Sequence, residues 1–339
     1  MIDLGPWPWA TDRRAFRSGA APSFAGISGG RTSAMMAALL DDNVRLCFQN
    51  TGREHPNTLI FLDKLEAALG REIVWLEWRP PPKKGDPPRM FGFEQVDFCT
   101  ASRNGEPFRG MLEALRDYRA TKGEAPVSPW ARSRICTAYL KHRVMAKWIE
   151  SIAVSAVQSP DLGYVDSYDW FVGLRKDEPD RVFKLKERET QSKQYRCPLS
   201  DAGITKPDVL SFWRRQSFNL ELEDHQGNCT ACFLKDQSDL ARVLAEPETD
   251  ADWWEAIGED FGDFGGQRFP GYPQLRKEHG PRIAIESALR AGTAPINDGT
   301  LDARRFRLVM LQEKRRLAGE RESFSCACEQ TIAIADGLP

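Results

Sequence analysis

The sequence predicts an α/β protein: a parallel sheet of about five strands with helices on both faces, then a helical, cysteine-bearing C-terminal region. Three observations lead there. Short apolar runs at 24–27, 44–48 and 73–78 alternate with stretches of helix-forming residues. The first two runs end in polar loops, Ser28-Gly29-Gly30-Arg31-Thr32-Ser33 and Gln49-Asn50-Thr51-Gly52-Arg53-Glu54-His55. A later apolar run, Trp170-Phe171-Val172, opens into the charged loop Gly173-Leu174-Arg175-Lys176-Asp177-Glu178. Strands separated by helices pair in parallel, because the crossover helix returns the chain to the same end of the sheet.

Element by element, the first ~20 residues, rich in Trp, Pro and Arg, read as an irregular lead-in. Phe24-Ala25-Gly26-Ile27 is a strand, and Ala34 to Leu40 are strong helix formers. Val44 to Phe48 form the second strand. Pro56 suits the first turn of a helix that carries Leu59, Leu62, Leu65 and Leu69 on one face. Ile73 to Trp78 form the third strand, and the Pro- and Lys-rich residues 79–90 a loop. Helices are expected around 107–119 and 137–151, and Thr205 with Asp208 caps another through Trp213. A basic helix, Ala303 to Leu317, precedes a tail carrying Cys326 and Cys328. Three regions follow: a lead-in over 1–22, an α/β domain over 23–245 that includes Cys229-x-x-Cys232, and a mostly helical region over 246–339.

Composition narrows the class. The chain has 339 residues, a formal charge of −2 and 41% hydrophobic residues, ample for a buried core and unlike a disordered chain. No apolar run nears the roughly 18–20 residues of a spanning helix, and the N-terminus lacks a signal peptide's basic and apolar regions. The expectation is a cytoplasmic protein with no membrane partner. Its near-neutral charge argues against simple coating of nucleic acid, although the helix from Arg304 to Arg316 leaves a local nucleic-acid contact open. Eight cysteines are too sparse for a disulfide scaffold, so their clustering points to metal or redox chemistry. Cys47 and Cys99 are read as inert core thiols in apolar strands.

The loop from Ser28 to Ser33 suits a phosphate. Gly29 and Gly30 let the backbone approach closely, and N–H groups at the helix start face an anion. Ser28, Thr32 and Ser33 add hydroxyls and Arg31 a charge. The loop lacks the Walker spacing, and taken alone it also fits an ordinary glycine turn with a Ser/Thr cap. Asn50, Thr51 and Gly52 at the next strand tip complete a crevice, with His55 read as a helix cap. Ser-Gly-Gly-x-Thr-Ser followed by Asn-Thr-Gly-Arg-Glu-His-Pro resembles the phosphoadenosine phosphosulfate (PAPS) reductase family of the PP-loop adenine nucleotide alpha hydrolase superfamily. Arg134-Ile135-Cys136-Thr137-Ala138-Tyr139-Leu140-Lys141, the loop at 173–178 and Asn228 to Lys235 continue the resemblance in order, over residues 23–245.

The resemblance implies an adenine nucleotide, PAPS or ATP. Ser28 to Ser33 would hold its phosphates, Asn50, Thr51 and Gly52 its adenosine, and Arg175 and Lys141 its phosphate or sulfate oxygens. Asp177 and Glu178 would bind Mg2+ or orient Arg175. It also implies a [4Fe–4S] cluster on Cys136, Cys197, Cys229 and Cys232, with structural zinc as the alternative and a buried free thiol as the other reading of Cys197. The family's single cysteine nucleophile near the C-terminus, in a Glu-Cys-Gly run, is replaced here by Cys326-Ala327-Cys328-Glu329. Three functions follow as expectations. One is reductive sulfonucleotide cleavage, with Cys328 or Cys326 as nucleophile and a thioredoxin-like donor. A second is ATP-dependent adenylation with sulfur transfer to a nucleic acid or small molecule, fed by a cysteine desulfurase. The third is a nucleotide- or redox-sensing module without turnover.

Overall fold

The computed structural model describes residues 2–126, 128, 134–157, 167–262 and 269–290. These residues fall into two compact units, divided after Leu222. The division lies upstream of the expected boundary at 245, so the Cys229-x-x-Cys232 segment groups with the helices that follow it. The basic helix at 303–317, Cys326 and Cys328 lie outside the described residues.

The first unit holds a six-stranded sheet, ordered β4-β3-β2-β1-β5-β6. After a one-turn helix α1 (Pro8–Thr11), the chain forms β1 (Ser23–Ile27), α2 (Arg31–Leu39), β2 (Val44–Asn50), α3 (Pro56–Leu69) and β3 (Ile73–Arg79). Next come β4 (Gly92–Val96), α4 (Glu106–Ala120), a π-helical turn over Thr137–His142, α5 (Arg143–Val157) and β5 (Tyr168–Phe171). The unit closes with α6 (Pro179–Lys186), β6 (Lys193–Arg196), α7 (Pro198–Asp201) and α8 (Lys206–Arg214). All strand pairs are parallel except β3 with β4.

The sheet is therefore mixed, with one strand more than expected. β4 escapes a sequence reading because it is a short edge strand after a proline loop, and its Glu94 and Gln95 are exposed. An ion pair of Arg79 with Glu94, Nε to Oε2 2.7 Å, fastens it across the ladder. β6 is likewise a four-residue edge whose pattern, Lys-Gln-Tyr-Arg, is polar.

Alternation along the strands splits the core. Ala25, Ile27, Leu46, Phe48, Ile73 and Trp75 join α2, α3 and α8 in one buried cluster. The other face takes Phe24 against Trp148 of α5, edge to face at 5.6 Å. The lead-in also contributes, since Trp9 and Phe16 are buried in the first cluster. Arg13 Nε donates to the carbonyl of Leu39 at 3.0 Å, taking up a free acceptor at the end of α2. Residues 2–22 thus act as a packed strap on the sheet unit, where an irregular lead-in was expected.

The second unit contains α9 (Gln237–Leu244), α10 (Ala251–Phe261) and α11 (Tyr272–Arg290). Its Cys229-x-x-Cys232 turn is clamped through its middle. Trp254 Nε1 donates to Thr230 Oγ1 at 3.1 Å, and the Tyr272 hydroxyl donates to the Ala231 carbonyl at 2.6 Å. Among the described residues, no helix is long and apolar enough to cross a membrane.

Candidate functional site

The chain runs β1, β2, β3, β4 toward one edge and then returns past β1 to lay down β5 and β6. Loops leaving β1 and β5 therefore diverge to opposite faces. In open α/β sheets the crevice at such a reversal, outside the carboxyl ends of the strands, is where ligands bind. A cleft enclosing about 690 Å3, its open mouth included, occupies that place. Ile27 and Ser28 line it from β1, Gln49 from β2, Trp170 and Gly173 from the β5 end, and Thr137, Lys141, His142 and Met145 from the π turn and α5.

The Ser28–Ser33 loop forms one wall. Ser28 N donates to Ser33 Oγ at 3.1 Å, and Ser33 Oγ donates to the Gly30 carbonyl at 3.1 Å. That leaves the Ser28 hydroxyl to donate to Ser33 Oγ, 3.0 Å away. Gly29 adopts φ +78°, and a Cβ there would sit 2.4 Å from Thr58 Cγ2 on α3. Gly30 caps α2 in extended geometry, so the helix's first N–H groups face the loop. Gly173 completes the approach from β5, since a Cβ on it would lie 3.0 Å from Ser33 Cα.

The cations are placed differently from one another. Arg31 turns away from the loop: Nε donates to Asn219 Oδ1 at 2.8 Å, and Nη2 bonds the Leu220 carbonyl. Trp213 Nε1 donates to the Arg31 carbonyl at 2.8 Å, so α8 and the segment after it hold the start of α2. Arg175 reaches the loop instead. Its Nη1 donates to Thr32 Oγ1 at 3.1 Å, while Nε donates to Asp177 Oδ1 at 3.0 Å. Glu178 Oε2 accepts from Arg175 N at 3.1 Å and lies 3.4 Å from its Nη1. Glu178 also pairs with Arg181, and Asp177 Oδ2 accepts from Lys206 N at 3.4 Å. The two carboxylates thus hold Arg175, which is the second of the two roles expected for them.

The β2 loop is braced from beneath. Asn50 is fully buried, and its Nδ2 donates to Glu77 Oε1 at 2.7 Å and the Ser102 carbonyl at 2.8 Å. Its Oδ1 accepts from Gly52 N at 3.1 Å. Asn50 shapes the loop, and its neighbour Gln49, absent from the sequence-based site, is the residue that lines the cleft. Gly52 has φ +80° and passes 3.0 Å from Gly105 Cα, measured from a Cβ position. Thr51 N and Oγ1 donate to Glu54 at 2.9 and 2.8 Å. Burial pushes the Glu54 carboxyl above its ordinary range, opposed by Lys141, whose Nζ lies 3.9 Å away, and by the Thr51 bonds. His55 caps α3, accepting from Asn57 N at 3.1 Å through Nδ1.

Trp170, His142, Met145, Thr137 and Gly173 are among the other lining residues that sequence reasoning missed as site residues. A signal for two of them was present: Gly26, inside a strand, leaves the space that Met145 and Trp170 approach, each 3.6 Å from its Cβ position.

The cysteines separate by unit. Cys136 caps the π turn and Cys197 caps α7, both in the first unit, while Cys229 and Cys232 lie in the second. Burial pushes the Cys197 thiol up to about 12 and raises that of Cys136, partly offset there by Lys141. Among the described residues no three His, Cys, Asp or Glu side chains gather as a metal site. Cys99 is a correction: it is exposed, on a turn beyond β4 where its N–H donates to Asp97 Oδ1 at 2.9 Å. The chain leaves the sheet at Val96, three residues too early to bury it. Cys47 is fully buried, and burial raises its thiol far above the ordinary value. Alkylation of the native protein with iodoacetamide at pH 8 should therefore label Cys99 readily and Cys47 only after denaturation. Mass spectrometry of tryptic peptides reads this, and early labelling of Cys47 would contradict its burial.

No family model matches the chain. An uncharacterized nin region protein, ORF290, of Escherichia phage lambda is 26% identical over 228 residues, covering 66% of this chain and 69% of the phage protein. The similarity spans most of both proteins and brings no activity with it.

Proposed function

We propose that the cleft at the β1–β5 reversal binds an adenine nucleotide and that the protein uses it in sulfur chemistry of the PAPS reductase family type. One observation carries the reading: the Ser28–Ser33 loop, fixed by its own hydroxyls and by Arg175, lines a cleft at the place where the strand order reverses. Backbone N–H groups at the start of α2 offer the phosphates a fixed, partly positive cradle. Lys141 supplies a cation on the opposite wall, and Trp170 and Met145 supply apolar surface for the nucleoside.

In the sulfonucleotide form of the reaction, a cysteine thiolate attacks the sulfonyl sulfur, and the bond from that sulfur to the nucleotide phosphate oxygen breaks. The cradle stabilises the departing phosphate. A thioredoxin-like dithiol then releases sulfite and is oxidised to its disulfide. Cys328 or Cys326 is the thiol we assign. For the second unit we propose Cys229 and Cys232 as two thiolate ligands of an iron–sulfur cluster or zinc, since their spacing lets both face one ion. Cys197, fully buried in the first unit, reads best as a free thiol.

The test is product analysis on anaerobically purified protein. PAPS with a thioredoxin system should give sulfite and adenosine 3′,5′-bisphosphate. AMP and pyrophosphate from ATP with Mg2+ would replace the reductive reading with substrate adenylation. Nucleotide binding without either product would favour a sensor, and absence of nucleotide binding would overturn the site itself.

A further inference from the structure

The helix that covers the cleft is broken by a π turn close to its start. Residues Thr137–His142 form a π turn, and α-helical geometry resumes at Arg143. In an α register the residue one turn before His142 is Ala138, four positions back. In a π register it is Thr137, five positions back. The turn thus exchanges a methyl group for a hydroxyl on the wall above His142. Thr137 and His142 both line the cleft, as do Lys141 and Met145 from the same stretch.

What surrounds this pair is apolar and aromatic. The His142 ring lies 5.9 Å from that of Trp170, tilted by 45°, and Trp170 in turn lies 5.9 Å from Tyr195. Gly26 leaves open the floor between Met145 and Trp170. The phosphate-facing groups, Ser28 and Ser33, belong to the loop after β1. Thr137 is nearly fully buried, and its side chain hydrogen-bonds the Cys136 thiol. A hydroxyl carries one donor and two acceptor positions, so that bond leaves capacity for a ligand. A flat, polar-edged ring matches this wall better than a phosphate does, because rings stack on aromatic faces and their edge nitrogens need partners when buried.

We propose that the π turn builds a base-reading wall, in which Thr137 and His142, backed by Trp170, contact the heteroaromatic base of the bound nucleotide. The inference rests on the nucleotide reading above and assigns the part of the ligand that each wall takes. π turns inside helices recur at functional sites, where the altered register presents side chains that an α-helix would turn aside.

Isothermal titration of ATP, adenosine and inorganic triphosphate into the full chain tests it, using Thr137→Val, His142→Ala and His142→Phe. Thr137→Val keeps the side-chain volume and removes only the hydroxyl. Each of Thr137→Val and His142→Ala should weaken ATP and adenosine about tenfold and leave triphosphate unchanged, while His142→Phe should recover most of the loss. Thermal melts matching the wild type within a few degrees establish that the variants fold. Undiminished adenosine affinity in both Thr137→Val and His142→Ala would overturn the assignment while leaving the nucleotide site standing. Equal losses for ATP and triphosphate would overturn it too, placing the pair on the phosphates. A wild-type protein that binds triphosphate and not adenosine refutes the base wall, whereas one that binds none of the three refutes the nucleotide reading along with it.

Discussion

Replacing Gly29 with alanine should lower the stability of the sheet unit by about 2–4 kcal/mol and abolish nucleotide binding. Two costs combine. The residue sits at φ +78°, where a side chain is disfavoured, and its Cβ would lie 2.4 Å from Thr58 Cγ2. Thr58 is fully buried in α3, so it has little freedom to move aside. Relief of one cost separates them: Gly29→Ala with Thr58→Ser removes the clashing methyl and should recover part of the stability, leaving the backbone cost. Urea unfolding measures both variants, with a midpoint shift of about 1 M or more expected for the single change. A single variant with the wild-type midpoint would contradict the loop geometry.

Arg175→Ala should have the second large effect. It removes the bond to Thr32, leaves Asp177 and Glu178 facing each other with one cation fewer, and frees the β5 loop from the phosphate loop. Glu178 keeps Arg181, so the stability loss should stay at about 3 kcal/mol, the lower end of the range for a broken buried pair. Nucleotide affinity should fall at least about tenfold, since the loop loses its fastening and the cation beside it. Arg175→Lys should not restore it. A single ammonium cannot span Thr32 and Asp177 as the guanidinium does from separate nitrogens. Full affinity in Arg175→Lys would show that charge alone suffices and would overturn the clamp.

The parallel core was legible because its signals are local. Three apolar runs, Pro56 at a helix start and the Thr205–Asp208 capping box each declare themselves within a few residues. The edges were not: β4 and β6 carry exposed polar residues and owe their existence to the neighbours they pair with. The same division runs through the site. The loop from Ser28 to Ser33 stood out by composition, while Arg31 gave no sign that its guanidinium belongs to Asn219 and Leu220. Nor did Asn50 signal its bond to Glu77 on the next strand, 27 residues along the chain. A side chain's type can be read from sequence. Its direction depends on partners far away in the chain.

That dependence has a consequence for how the protein is made. The loop is complete by residue 33, yet the groups that fix it, Arg175, Trp213, Asn219 and Leu220, emerge 143 to 189 residues after the groups they hold. A nascent chain on the ribosome therefore carries an unfinished cradle through nearly the whole synthesis of its first unit. Contacts this distant in sequence form late, after the costly closure of a long loop. The proposed nucleotide site and the first unit are finished together, and a chain truncated before Asn219 lacks the groups that hold Arg31 and completes neither.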